Sequence, residues 1–465
     1  MTMRDFSVTV DVDLLRRYDK SGPRYTSYPT APYFHQGVGA REYALHLDRD
    51  DRELQKRDLS LYFHIPFCDT LCYFCGCNMT VSRNQARIGE YLTYLEKEIS
   101  LVSARVGKDR KVIQMHWGGG TPTHLSPDQI RRLGAVIRLH FDFRPEAEIS
   151  VEIDPRELTR RHMQALAEVG FNRCSIGVQD FDVRVQEAVN RIQSEVVTRQ
   201  AVEWARELGF TSVNVDLMYG LPHQQAASFS DTIDRVLTLD PDRLAVFNYA
   251  HLPGMIKHQR LINEEWLPDR EEKLQLLKIS IEKLTEAGYG YIGMDHFAKP
   301  EDELTIAMQE GTLYRNFQGY STHAGLNVLA FGVSGIGMLS DMYIQNHKTF
   351  REYYALLDRG ELPIAKGVVL TRDDQLRREV ITTLMCHFEL DKAAVEREYG
   401  IRFDDFFAAS MPLLEGLEAD GLVELLPDRI LVTNPGRLLI RNIAMCFDGY
   451  LLKKEEGAPQ FSRTV

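Results

Sequence analysis

The chain has no surplus of positive charge: 55 lysines and arginines stand against 67 carboxylates, for a formal charge of −12. A surface that neutralises nucleic-acid phosphates needs a basic field, so the charge argues against a nucleic-acid-binding role. Small anions are not, because a few buried arginines suffice to hold them. No run of about 18 apolar residues occurs, so no membrane span is expected. The first twenty residues, MTMRDFSVTVDVDLLRRYDK, lack the apolar stretch of a secretory signal, and the expected location is the cytoplasm. Cysteine is scarce and odd in number, seven in all, with four packed into one stretch. That usage argues against a disulfide framework and for a metal or redox site in a reducing compartment. Low-complexity segments are absent, and 465 residues are enough for one large core with one or two smaller parts.

What the chain does contain, from about residue 58 to 300, is an alternation of short β-branched runs with longer helical patterns. The runs are SLYFHI (60–65), KVIQMHW (111–117), EISVEID (148–154), NRCSIGV (172–178), SVNVDLM (212–218), RLAVFNY (243–249) and YGYIGMD (289–295). Between the first two, Leu92, Leu95, Ile99, Val102 and Val106 recur at helical spacing. Strand–helix alternation implies parallel pairing through right-handed crossovers. Three helices are punctuated alike, in EVGFNR, ELGFTS and EAGYGY, where Gly170, Gly209 and Gly288 suit the left-handed position past a helix end. Those glycines lie 39 and 79 residues apart, close to one and two βα units. The pattern predicts an α/β fold, a partial (β/α) barrel of six or seven units, with a doubly wound sheet as the alternative. Residues 1–57, with SGPRYTSYPTAPYF, read as an N-terminal arm or lid, and 58–365 as the barrel core and its extension. Residues 366–465 read as a small, mainly helical, winged-helix-like domain. There LRREVITTLMCHF, FDDFFAASMPLLEGLEADG and GRLLIRNIAMCF look helical, and VELLPDRILVT looks like a hairpin.

The clustered cysteines fall in FCDTLCYFCGC, as Cys68, Cys72, Cys75 and Cys77. Thiolates are soft ligands for zinc, copper(I) and iron–sulfur clusters. A structural zinc site usually draws two ligand pairs from separate segments, and no second pair exists here, since Cys174, Cys386 and Cys446 are scattered. Cys68, Cys72 and Cys75 form C-x3-C-x2-C after the first strand, the end of a barrel strand where active sites are built. Three thiolates on a four-iron cluster would leave one iron open for chemistry. A closed zinc site and a cysteine-rich loop with adventitious affinity remain the alternatives.

The other strand ends are polar. The second runs into GGGTPT (118–123), whose glycines permit close backbone approach to a ligand. Glu152 and Asp154 close the third, Gln179 and Asp180 the fourth, Asp216 the fifth, and Asn248 with His251 the sixth. Inward carboxylates are costly unless a cation or donors meet them, so the set reads as a lined pocket. His64 is expected to make a packing or backbone contact, and His116 is ambiguous. Neither has zinc-ligand spacing to another histidine.

C-x3-C-x2-C after strand one of a (β/α) barrel, with the aromatic Phe74 before the third cysteine, resembles the radical S-adenosylmethionine (SAM) superfamily. Further segments narrow the resemblance: SGPRYTSYPTA, HWGGGTPT, EIDPRE, GVQDF, VNRIQ, DLMYGLP, VFNYAHLP, GMDHFA, NFQGY, LLIRNIAMCFD and the closing QFSR. Together they are similar to the oxygen-independent coproporphyrinogen III oxidase family, from about residue 20 to the end. The resemblance implies a [4Fe-4S] cluster on Cys68, Cys72 and Cys75, with Cys77 outside it and of possible catalytic use. It implies two SAM molecules, the first meeting Tyr62, Gly119, Glu152 and Ile336. The second would meet Phe74, Gly120, Thr121, Gln179, Arg191, Asp216 and Ala250. The substrate would be coproporphyrinogen III, a tetracarboxylate, with Arg24 and Arg315 as its cations and Tyr25 and Tyr28 beside them. A flavodoxin-type electron donor and a monomeric chain are implied as well. One stretch, THAGLNVLAFGVSGIGM, departs from the family at Asn327, where an acid is usual, and at Ala330, where glycine is.

Three rival readings share part of this pattern. A heme-binding chaperone of the same superfamily branch would keep the cluster and much of the barrel. A radical SAM methyltransferase or cyclopropane-forming enzyme would spend the second SAM differently. A structural zinc protein would have no turnover.

Overall fold

The computed structural model describes residues 8–453 and 461–464. The first seven residues of the arm, and Gln460 of the closing QFSR, lie outside the described residues. Six strands form the centre: β1 (Leu59–Ile65), β2 (Lys111–Gly119), β3 (Asp142–Ile153), β4 (Arg173–Gln179), β5 (Ser212–Tyr219) and β6 (Arg243–Asn248). Each pairs in parallel with the next, in unbroken sequential order. A doubly wound sheet reverses its order at a switch point; this one does not, and the partial barrel holds.

Helices α1 (Gln85–Ser103), α2 (Pro127–His140), α3 (Arg160–Val169), α4 (Glu195–Glu207), α5 (Ala226–Leu237) and α6 (Arg270–Glu286) follow the six strands in turn. The spacing that predicts α1 is the stripe it buries, Leu92, Leu95, Ile99 and Val102 all lying in the main core. Val106 is also buried, but just past the helix end. β1 is buried on both faces, as a strand covered by helices on one side and a packed barrel interior on the other must be. Gly170, Gly209 and Gly288 have φ of 103°, 83° and 91°, the left-handed conformation expected of them.

YGYIGMD is not a seventh parallel unit. Only Gly290–Gly293 (β7) is strand, and it turns straight into β8 (His296–Ala298), which pairs antiparallel with both β7 and β6. The turn needs positive φ at Gly293 (147°) and Met294 (53°), a reversal that hydrophobic alternation does not reveal. At the opposite edge β9 (Asn327–Phe331) pairs in parallel with β1. Antiparallel β10 (Ile336–Met338), β11 (Met342–Asn346) and β12 (Ile364–Val369) extend the sheet to twelve strands.

After β12 come the helix Arg372–His387 and a three-stranded sheet of Glu389–Asp391, Arg429–Val432 and Val423–Leu425. The last two are the hairpin expected of VELLPDRILVT. GRLLIRNIAMCF is two short helices, Asn434–Leu438 and Ile440–Met445, because Leu439 leaves helical geometry at ψ 21°. These elements share a second core that also takes in Leu15, Tyr25 and Tyr28 of the arm.

Candidate active site

The cysteine loop leaves β1 and is closed on itself by Phe67–Cys68 pairing with Thr80–Val81. Within it the Cys75 N–H donates to Cys72 O (3.1 Å), and the Cys77 N–H points at Cys75 Sγ (3.4 Å). His258 Nε2 bonds to Cys75 O (2.6 Å), and Gln259 bridges Phe74 O and Ala250 O (3.1 and 3.2 Å). The segment after β6 therefore pins the loop from outside. Cys72 is buried, Cys68 and Cys75 half-buried and Cys77 exposed; all four line one cleft at the strand ends. Burial pushes the Cys68 thiol up to about 12.

The glycine segment forms the facing wall. Gly120 N–H donates to Ile65 O (2.8 Å) and Thr121 N–H to Phe67 O (2.8 Å), which ties β2 to the start of the cysteine loop. A Cβ on Gly120 would stand 2.8 Å from Phe67 O and 3.0 Å from Cys68 Sγ. Only glycine fits there. Thr121 Oγ1 donates toward Cys68 Sγ (3.5 Å).

Glu152 accepts from Gly119 N–H (2.9 Å) and lies 3.4 Å from His116 Nε2. Burial opposes its ionisation, yet these partners hold its pKa below the ordinary carboxylate value. Asp154 receives a guanidinium fork from Arg156 (2.6–3.1 Å) and a bond from Arg191 (3.0 Å). Burial works against its charge, but the two arginines hold it at about 2. Both arginines also reach Cys72 Sγ, at 3.5 and 3.6 Å. EIDPRE shows the carboxylates plainly, but nothing local in it says that the Arg156 side chain turns toward a cysteine loop 84 residues away. Asp216 accepts from Ser175 Oγ (2.8 Å) and Asn214 Nδ2 (2.7 Å), and burial raises its pKa to about 6. Gln179, at φ 68°, turns into the same cleft, where its buried Oε1 and the Nε of Arg191 have no hydrogen-bond partner among the described residues.

Not every predicted residue meets in this cleft. Tyr62 and Ile336 line a neighbouring compartment of about 260 Å³ with His64, His116 and Phe317, and Glu152 belongs to both spaces. Tyr62 stacks on His116 (5.9 Å between centroids), and His64 Nε2 bonds to Asn78 O (2.8 Å), the backbone contact expected of it. Ala250, Asn248 and His251 line a third cavity with Arg24. Arg315 is buried over the Tyr320 ring, with Nε and Nη1 unpartnered among the described residues. Tyr25 OH donates to Asp448 (2.9 Å), and Tyr28 OH accepts from Gly449 N–H (2.9 Å); both rings pack against the C-terminal part. Asp180 turns away altogether and is bound by Thr232 and Gln224 (2.7 and 2.6 Å). It is a structural tie rather than a pocket wall. Asn327 sits at the far end of β9 from the cleft, hydrogen-bonded to Asp50; an acid there would face a like charge. Ala330 pairs in register with Tyr62.

Residues 62–236 match the radical SAM superfamily and 370–439 the HemN C-terminal domain. The oxygen-independent coproporphyrinogen III oxidase of Pseudomonas aeruginosa is 50% identical over 457 residues, 98% of each chain. That of Salmonella typhimurium is 49% identical over 463 residues, the whole of both chains. The chain belongs to the oxygen-independent coproporphyrinogen III oxidase family. A solved coproporphyrinogen III oxidase (HemN) from Escherichia coli, described as a radical SAM enzyme, superimposes with a TM-score of 0.91 at 47% identity, over 96% of this chain and all of that one. Members of the radical SAM superfamily carry a [4Fe-4S] cluster and SAM.

The residues present fit both groups. The thiols share one cleft with a glycine cradle that a single Cβ would fill, and the buried polar atoms of Gln179 and Arg191 await a ligand. Among the described residues no three acidic, thiol or imidazole groups converge on one metal ion. No helix among the described residues is long and apolar enough to cross a membrane.

Proposed function

We propose that this chain converts coproporphyrinogen III to protoporphyrinogen IX without oxygen, in heme biosynthesis. Two propionates each lose a β-hydrogen, carbon dioxide and an electron, leaving vinyl groups. What carries the reading is that identity near 50% spans the arm and the C-terminal part as well as the barrel, whereas a barrel match alone would suit many radical chemistries.

Cys68, Cys72 and Cys75 hold the cluster, and Cys77 stays outside it. Bound there, the cluster and SAM supply a carbon-centred radical that removes the β-hydrogen. Two SAM molecules occupy the site. The division of the cavities supports this, since Tyr62 and Ile336 line one space, Phe74, Thr121 and Gln179 another, and Glu152 stands between them. In the second space Arg191 presents a donor to a carboxylate, and Gln179 Oε1 and Asp216 accept from hydroxyl or ammonium groups. Arg24 and Arg315 are the cations for substrate carboxylates, with Tyr25 and Tyr28 setting the arm that carries Arg24. The arm, residues 1–57, acts as a lid that keeps water from the radical. A flavodoxin-type protein supplies the electrons, and the enzyme works as a cytoplasmic monomer.

The test is anaerobic reconstitution with iron, sulfide, a reductant, SAM and coproporphyrinogen III. Protoporphyrinogen, carbon dioxide and 5′-deoxyadenosine are expected together. Stable heme binding without carbon dioxide would overturn the reading in favour of a chaperone; methyl transfer would redirect it. Serine at Cys68, Cys72 or Cys75 should each abolish the cluster's visible absorbance, while Cys77→Ser should retain it. Equilibrium dialysis should find two equivalents of SAM per chain, and one after Tyr62→Leu.

A further inference from the structure

The third cavity, of about 340 Å³, lies where the arm, the end of β6, the start of α6 and the C-terminal segment meet. Its wall carries four cations, Arg24, Arg270, Lys273 and Arg463, against one carboxylate, Asp19. In a chain of charge −12 that concentration is unusual. Three of the four cations are already engaged. Arg270 and Arg463 both bind Asp19 Oδ2 (3.1 and 2.7 Å), and Arg24 pairs with Asp295.

Lys273 differs. Its ammonium makes no ion pair or hydrogen bond among the described residues, although the side chain is half-buried and its burial lowers its pKa. It stands with Arg270 in the first four residues of α6, where the helix dipole disfavours cations. Its stem crosses Gly220 of DLMYGLP, where a Cβ would stand 3.2 Å from Lys273 Cε and 3.5 Å from Asn248 Oδ1. Gly220, at φ 87°, thus leaves room for the lysine to lie along the cavity wall. Asn248 Oδ1 is buried and also lacks a partner among the described residues. Burial, with Arg441 and Arg315 close by, lowers the Arg24 pKa to about 9, which leaves it a cation at neutral pH, paired with Asp295. Glu271, Glu272 and the cap Asp269 balance the helix start, and Arg270 is paired, but a partly desolvated ammonium without an ion-pair partner still costs stability. An anionic ligand would offset that cost.

We infer that Lys273, with Arg24 across the cavity, forms a carboxylate site that holds a propionate of the substrate. This rests on the tetracarboxylate reading above, and it adds a residue and a subsite to it. Arg24 is held by Asp295 through Nη2 alone, whereas Arg270 and Arg463 each spend two donors on Asp19 or on backbone oxygens and shape the wall. Ala250 at the same wall joins the cavity to the backbone beside the cysteine loop, through Gln259. Phe247, next to Asn248 on β6, lines the cluster cleft, so the two spaces adjoin at the end of that strand.

The experiment uses the full-length, cluster-reconstituted protein and the fluorescent oxidised relative of the substrate, coproporphyrin III. Lys273→Met should raise its Kd on the order of tenfold, as loss of one charge-assisted bond would. Lys273→Arg should recover most of the affinity. The tetramethyl ester, which lacks the charges, should bind wild type and Lys273→Met alike, and the Kd of SAM should not move. In turnover the loss should fall on KM. The unfolding midpoint of Lys273→Met should stay level or rise, which a structural role would not allow. Normal wild-type decarboxylation with an unchanged Lys273→Met KM overturns this site alone. So does a change confined to SAM, or equal losses for acid and ester. Binding of coproporphyrin III through Lys273 without carbon dioxide release from the substrate overturns the enzymatic reading alone.

Discussion

At Gly120 the missing side chain is what lets the second strand's loop lie against the first cysteine. Alanine there would press on Phe67 O and Pro66 C, both backbone atoms that cannot swing aside. Gly120→Ala should destabilise the chain by about 1–3 kcal/mol and lower the iron bound per chain. Gly209 is the contrast, since nothing lies within 4 Å of its Cβ position and only its φ of 83° demands glycine. Gly209→Ala should cost about 1 kcal/mol and leave iron content unchanged, as metal analysis and denaturation would show together. Asp216 makes a pH prediction. Its folded pKa of about 6 lies above the unfolded 3.8, so the neutral carboxyl's contribution to stability is present below 3.8 and is lost as pH rises through about 6. In the proposed role Asp216 accepts from SAM in its charged form. Calorimetric titration from pH 5 to 8 should find SAM affinity falling below about pH 6, and Asp216→Asn should weaken binding and flatten that dependence.

Among the elements, α1 does more than cover the barrel. Its buried Glu98 accepts from Gly332 N–H (2.7 Å), Asn346 Nδ2 (2.6 Å) and Tyr353 OH (2.5 Å), joining α1 to the turn after β9 and to β11. These contacts hold the segment that leads to Ile336. Burial raises Glu98 to about 7 although three donors favour its charge. Its stabilising contribution is therefore full below the unfolded value of 4.5 and lost as pH rises through about 7. Denaturation of wild type and Glu98→Gln between pH 4.5 and 8 should show the difference moving toward the variant by on the order of 3 kcal/mol. Glu98 was not legible as an anchor. In α1 it reads as one more polar residue, and its partners come from the turn after β9, the end of β11 and the helix Phe350–Asp358, segments far along the chain that carry no βα rhythm.

For the whole molecule, the arm is held from the far end of the chain. Arg441 donates to Pro23 O (3.0 Å), Arg463 O (2.8 Å) and Gly22 O, and Gly22 N–H donates to Ser462 O (3.0 Å). The arm is thus a strap tied to the C-terminal part. Arg441→Met should release it, speeding amide exchange in residues 20–30 about tenfold or more while β1 to β6 keep their protection. Unchanged exchange there would show that Tyr25 and Tyr28 suffice to hold the strap.

The cysteine loop, the glycine segment, the six parallel units and the helix-ending glycines were determined by the sequence itself. Each depends on contacts or dihedrals within a few residues, or on periodicity along one element. The tertiary structure alone decided which polar strand ends face a common space. It turned Asp180 into the packing, brought Arg156 onto Cys72, made YGYIGMD half of a hairpin, and gathered Arg24, Lys273 and Arg463 around one cavity. Those outcomes depend on side-chain direction and on pairings between segments up to hundreds of residues apart, which no local pattern encodes.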